Sequence, residues 1–218
     1  MKEKIIAKNK EELREIIRNE ISQNDNSCSL NHVDVSLIKN MDHLFCYTTN
    51  IDNNLSDFNG DISKWDVSNV ESMDGLFSSS EFNNDISQWN VSNVQDMCSM
   101  FSSSKFNRDI SLWDTSNVKN MYYMFYESEF DGDISKWNVS KVKNMEHMFF
   151  RSQFNRDITN WKPLNLEYKL EIFKNCSSPV PYWAEAENIP AAVRSYWLNK
   201  ELESSLIDKI VKNNKMKI

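Results

Sequence analysis

Glycine and proline are scarce, at three and four residues in a chain of 218. Both fall well below ordinary usage. A chain that turns often must then build its turns from Asn, Asp and Ser, whose side chains bond nearby backbone groups. Long apolar runs are missing too. Nothing approaches the roughly 20 residues of a membrane span, and the opening MKEKIIAKNKEELREII has no stretch of signal-peptide type. With no lipid-attachment cysteine or anchor in view, the expectation is a cytoplasmic protein that does not enter a membrane. Cys28, Cys46, Cys98 and Cys176 share no spacing of a disulfide framework and read as reduced thiols. An excess of Lys and Arg is absent as well: the net charge is −7 and the pI about 5.1. Nucleic acid and anionic membrane surfaces are therefore excluded as direct partners, and a protein with a basic surface is favoured.

What the chain has in abundance is repetition. Trp65, Trp89, Trp113, Trp137 and Trp161 share one fixed spacing, as do Phe58, Phe82, Phe106, Phe130 and Phe154. Complete units occupy 58–81, 82–105, 106–129 and 130–153, with degenerate rungs at 28–57 and 154–177. Each reads F-N-x-D-I-S-x-W-[DN]-[VT]-S-[NK]-V-x-x-M-x-x-[LM]-F-x-x-S-x. A fixed period in this range signals a solenoid, because one unit cannot bury its apolar face alone. Trp65 and Val67 flanking Asp66 suggest a strand with one buried face. Val70, Met73, Leu76 and Phe77 suggest two helical turns, with Ser68, Ser92, Ser116 and Ser140 as N-caps and Glu71 and Gln95 completing capping boxes. The expected fold is an α/β repeat solenoid, right-handed and leucine-rich-repeat-like, with one short strand and one short helix per rung.

Open ends of such an array need covering. Residues 1–27 are expected to form a helical cap, from Asn9 and Glu12 as a capping box and Leu13, Ile16, Ile17 and Ile21 as its apolar face. Residues 178–218 are expected to form a second, opening near Asn188 and Pro190 with a stripe of Val193, Trp197, Leu202, Leu206 and Ile210. The unit FNxDISxWDVSNVxxMxxMF resembles the tandem repeat of BspA-like leucine-rich-repeat surface proteins over about residues 28–177. That resemblance implies one strand and one helical segment per rung and a role in adhesion or protein binding. It implies no catalytic residues.

The column Asp61, Asp85, Asp109, Asp133 and Asp157 reads as turn-capping carboxylates, with a calcium column as the alternative. Cys28, His32, His43 and Cys46 have a spacing superficially like that of zinc ligands. Register puts the two pairs on opposite sides of a rung, so no metal site and no cofactor are expected. His147 has no nucleophile visibly paired with it, which argues against catalysis. Binding is better supported. Gly75, Ser99, Tyr123 and His147 share one position, and Ser78, Ser102, Tyr126 and Phe150 another. With Tyr122 they predict an aromatic patch on the third and fourth units, of the composition favoured at protein interfaces, unless the carboxy-terminal segment covers it. Asp66, Asn90, Asp114 and Asn138 are expected to line a concave strand face as a second candidate surface. The expected function is a non-catalytic, protein-binding solenoid of open oligomeric state. The narrower alternative is an acidic inhibitor or immunity protein blocking a basic toxin or a nucleic-acid enzyme.

Overall fold

Apolar side chains at a fixed spacing bury themselves against copies of themselves, and the computed structural model, which describes residues 3–49, 55–187 and 189–215, shows how. Phe77, Phe101, Phe125 and Phe149 form one column with ring centroids 5.7, 5.7 and 5.6 Å apart. Phe82, Phe106, Phe130 and Phe154 form a second. Trp113 and Trp137 stack at 6.4 Å and 4°, and Trp137 and Trp161 at 6.5 Å and 7°. All these rings are buried. Each indole N–H also donates to a carbonyl of the preceding unit: Trp89 to Ile62, Trp113 to Ile86, Trp137 to Ile110 and Trp161 to Ile134, at 3.0–3.2 Å. A buried tryptophan thus pairs its one donor.

Backbone pairing follows the same order. Parallel single-residue bridges run from Asn40 through Ser72, Asp96, Asn120 and Asn144 to Tyr168. The first step is longer than the others because of the insertion ahead of Phe58. Along this ladder the N–H groups of Met73, Gly75, Phe77 and Ser79 donate to the carbonyls of Asp96, Cys98, Met100 and Ser102 at 3.0, 2.8, 2.9 and 2.7 Å.

The expected division of each rung into strand and helix is not what forms. The α-helices among the described residues are α1 (Lys10–Gln23) and α2 (Ile189–Lys215), both outside the repeats. The segment read as helical carries the inter-rung ladder instead. Gly75 and Ser79 have φ of +58° and +52°, which a right-handed helix cannot contain. Four-residue turns, Leu76 N–H to Met73 carbonyl and Ser78 N–H to Gly75 carbonyl, reproduce the helix-like apolar spacing. The segment read as a strand is likewise a pair of turns, Trp65 N–H to Ile62 carbonyl and Val70 N–H to Val67 carbonyl. Ser68 is no N-cap: its N–H and hydroxyl both donate to Asp66 Oδ1, at 3.1 and 2.6 Å. Glu71 closes no capping box, since its N–H donates to the Lys39 carbonyl of the previous rung.

Segments outside the repeats pack against both ends. Asn9 Oδ1 accepts the Glu12 N–H at 2.9 Å to start α1, which buries Leu13 and Ile17. Arg14 donates to the His43 carbonyl at 2.8 Å and Lys10 to the Asp42 carbonyl at 3.4 Å. Ahead of α1, strand β1 (Ile5–Ile6) pairs in parallel with β2 (Val33–Asp34). At the far end Trp183 stacks on Trp161 at 6.2 Å, and α2 buries Ile189 and Val193. Among the described residues of α2, the expected stripe is interrupted at Leu202. Trp197 is partly buried, but Leu202 is exposed. Asn188 and the side chains of Pro190, Leu206 and Ile210 lie outside the described residues.

Candidate functional site

Two columns on the ladder segment adopt left-handed backbone. His43, Gly75, Ser99, Tyr123, His147 and Glu171 form one, with φ between +49° and +58°, and Ser79, Ser103, Glu127, Arg151 and Asn175 form the other, with φ between +50° and +58°. Glycine takes this conformation freely, whereas other residues pay of order 1 kcal/mol or more. Only the first complete unit uses glycine here. Placing Tyr123 and His147 at such positions is unfavourable for the backbone, so their rings have to be accounted for otherwise.

The structure brings Tyr122, Tyr123, Tyr126, His147 and Phe150 into one half-buried cluster. Tyr122 meets Tyr123 edge-on at 4.2 Å, and Tyr123 lies 4.7 Å from Tyr126 and 4.9 Å from His147. Tyr126 stacks on Phe150 at 5.3 Å and 8°, and His147 meets Phe150 edge-on at 5.5 Å. The rings fill the space among themselves, so the cluster is a ridge rather than a cage. Arg151 and Lys174 lie over the Phe150 ring, at 5.1 and 5.8 Å. Glu171 Oε2 faces His147 Nδ1 at 3.6 Å. Among the described residues, the ring contacts of the carboxy-terminal segment with the repeats go to Trp161, Lys162 and Phe173, not to this ridge.

Toward the amino terminus the same columns become small and acidic. Gly75, Ser78, Ser99 and Ser102 replace the rings, and Asp74 and Cys98 stand where Tyr122 stands. Asp42 Oδ1 accepts from the Ser72 hydroxyl and the Asp74 N–H. Burial pushes the Asp74 carboxyl up, and the neighbouring charges of Asp96 and Asp42 add to the shift. Burial pushes the Cys98 thiol up to about 12, and burial together with the Tyr123 hydrogen bond pushes Tyr122 up to about 12. Toward the amino terminus the rings thus give way to the closely spaced carboxyl groups of Asp42, Asp74 and Asp96.

The second candidate set does not lie on a strand. Asp66, Asn90, Asp114 and Asn138 are exposed, but they lie on turns rather than a strand face. Each Oδ1 accepts the N–H of the Ser two residues on, at 3.0–3.2 Å. Their acceptor atoms are committed locally. The Asp61 to Asp157 column does likewise: Asp61, Asp85, Asp109, Asp133 and Asp157 each accept an N–H two residues on, at 2.8–3.0 Å. His32 Nε2 faces Glu20 of α1 at 3.1 Å, and His43 Nε2 faces Asp74 at 3.5 Å. Cys46 donates to the His43 carbonyl.

Sequence reasoning missed Asp74, Arg151, Glu171 and Lys174 as neighbours of the ridge. Arg151 adjoins Phe150, Glu171 and Lys174 stand one unit on from His147 and Phe150, and Asp74 stands two units before Tyr122, so following the columns past the third and fourth units would have found them.

A family model described as "Mycoplasma protein of unknown function, DUF285" matches residues 12–129, 53–150 and 103–180. No curated protein and no solved structure matches the chain.

Proposed function

The chain belongs to that DUF285 family, and from this premise we propose a non-catalytic protein-binding module whose contact surface is the ridge of Tyr122, Tyr123, Tyr126, His147 and Phe150. The architecture fits a right-handed, leucine-rich-repeat-like solenoid of the BspA kind, with turns where that kind has helices. One observation carries the binding role: rings occupy left-handed positions that Gly75 and Ser99 fill in earlier units. Stability does not call for Tyr or His there, whereas aromatic residues are enriched among interface hot spots. The acidic patch around Asp42, Asp74 and Asp96 supports a partner with a basic surface, drawn in by complementary charge. Inhibition of a basic toxin or nucleic-acid enzyme is the narrower form of the same reading, favoured by the net charge of −7.

The test is capture of a partner from the source cell by the full chain, identified by mass spectrometry. Tyr126→Ser with Phe150→Ser should abolish the capture while the protein stays folded. Equal capture by that variant would rule the ridge out.

A further inference from the structure

The rungs are held by a ladder with a direction, and the direction leaves its two ends chemically different. In each interface N–H groups at alternate residues donate toward the carboxy-terminal neighbour. Met145, His147, Phe149 and Arg151 donate in this way to the carbonyls of Tyr168, Leu170, Ile172 and Lys174, at 2.9, 2.9, 2.9 and 3.0 Å. The amino-terminal end of the ladder therefore presents carbonyls. There α1 lies across them, with Lys10 donating to the Asp42 carbonyl and Arg14 to the adjacent His43 carbonyl.

The carboxy-terminal end presents donors instead, at Lys169, Glu171, Phe173 and Asn175. Each stands one unit on from Met145, His147, Phe149 and Arg151, and Glu171 and Asn175 keep the left-handed φ of their columns, +51° and +58°. Among the described residues these four N–H groups have no protein acceptor. The covering segment reaches this edge through a side chain, the Lys169 ammonium, which donates to the carbonyls of Ala184 and Ala186. Between it and the edge is a cavity of about 260 Å³, lined by apolar Ile172, Phe173, Val180 and Ala184 and by charged side chains that include Glu171 and Glu185. A second unmet donor lies close by. Trp183 is fully buried and takes the next place on the tryptophan column, yet its indole N–H finds no acceptor, unlike the five indoles before it. Buried N–H groups without acceptors are rare in folded proteins.

We propose that the edge formed by Lys169, Glu171, Phe173 and Asn175 is a second binding site, independent of the aromatic ridge, that takes an extended peptide segment of a partner protein by backbone addition. The interfaces already in the stack define the complement: a segment offering carbonyls at alternate residues, with an aliphatic–aromatic pair at the place of Met148 and Phe149. Main-chain bonds supply affinity in this mode and flanking side-chain pockets supply specificity. A compact small molecule fits less well, since the cavity is below the roughly 300 Å³ at which ligand pockets begin and the donors form a row rather than a point. A second copy of this chain would have to offer its carbonyl edge, which α1 covers.

The experiment is amide hydrogen exchange on the full chain, alone and with a synthetic peptide of residues 116–128, whose carbonyls accept the same ladder in place. A scrambled peptide is the control. Alone, the four edge amides should exchange at least about a hundredfold faster than those of Met145, His147, Phe149 and Arg151, as unpaired edges do. The peptide, but not its scramble, should slow them at least about tenfold. Edge amides already protected in the monomer, or unaffected by the peptide at millimolar concentration, would overturn the proposal. Protection that rises with protein concentration in the absence of peptide would assign the edge to a second copy and overturn it equally.

Discussion

Trp113 donates its indole N–H to the carbonyl of Ile86 at 3.2 Å, and that same carbonyl accepts the backbone N–H of Trp89 at 3.1 Å. Both lone pairs of one buried oxygen are thereby used, one closing a turn and the other fastening the next rung onto it. The repeat holds tryptophan here because phenylalanine could stack but could not make the second bond.

Replacing Trp113 by Ala should cost about 3–5 kcal/mol, the range for a buried aromatic truncated to a methyl group. Trp113→Phe keeps most of the packing and should cost about 1–3 kcal/mol, chiefly the lost hydrogen bond and imperfect filling. Urea unfolding of the two variants checks this ordering. A loss below about 1 kcal/mol for the Ala variant would mean that the column does not hold the stack together.

The columns were legible because a fixed period of tryptophan and phenylalanine leaves little choice in how rungs stack. Conformation within a rung was not. Val70, Met73, Leu76 and Phe77 recur at helix-like steps, yet overlapping four-residue turns that contain the left-handed Gly75 give the same steps. The sign of φ is invisible at Ser99, Tyr123 or His147, and only Gly75 hints at it. Pairing was hidden for a related reason, since the partners of Met73 and Phe77 lie in the next unit and no local pattern marks them. The aromatic cluster could be found from the columns alone. Asp66 and Asn90 lie on turns because the strand expected to carry them does not form.

The left-handed column is testable at a residue whose side chain is not one of the rings. Ser103 is exposed at φ +53°, and its N–H donates to the Tyr126 carbonyl. Ser103→Gly removes the steric cost of that conformation, about 1–2 kcal/mol, and adds about 0.5–1 kcal/mol of unfolded-chain entropy. Stability should rise by roughly 0.5–1 kcal/mol in net. A fall of that size in thermal or denaturant unfolding would show that the backbone there is unstrained.

Acid should weaken the stack through its turn carboxylates. Hydrogen bonds from the backbone and side chain of Ser111, Ser135 and Thr159 hold Asp109, Asp133 and Asp157 below the ordinary carboxylate range. Their folded-state values lie under the unfolded value of about 3.9. Their contribution is then fully present above about pH 4 and lost as pH falls through the folded values. The triple change Asp109→Asn, Asp133→Asn and Asp157→Asn keeps an Oδ1 acceptor and removes the titration. Its stability should fall less steeply than that of the wild type between about pH 4 and pH 2. An identical slope would show that these turns do not respond to charge.

The most direct test of the binding role is one variant measured in two ways. Tyr126→Ser with Phe150→Ser installs the residues that Ser78 and Ser102 already place at the same positions, so the rungs should remain stacked and the melting temperature should change little. The dissociation constant for the captured partner should rise at least about thirtyfold, or about 2 kcal/mol, if these rings are the hot spot. A lowered melting temperature with unchanged affinity would contradict the account, because it would make the ridge a structural element of the stack and not its contact surface.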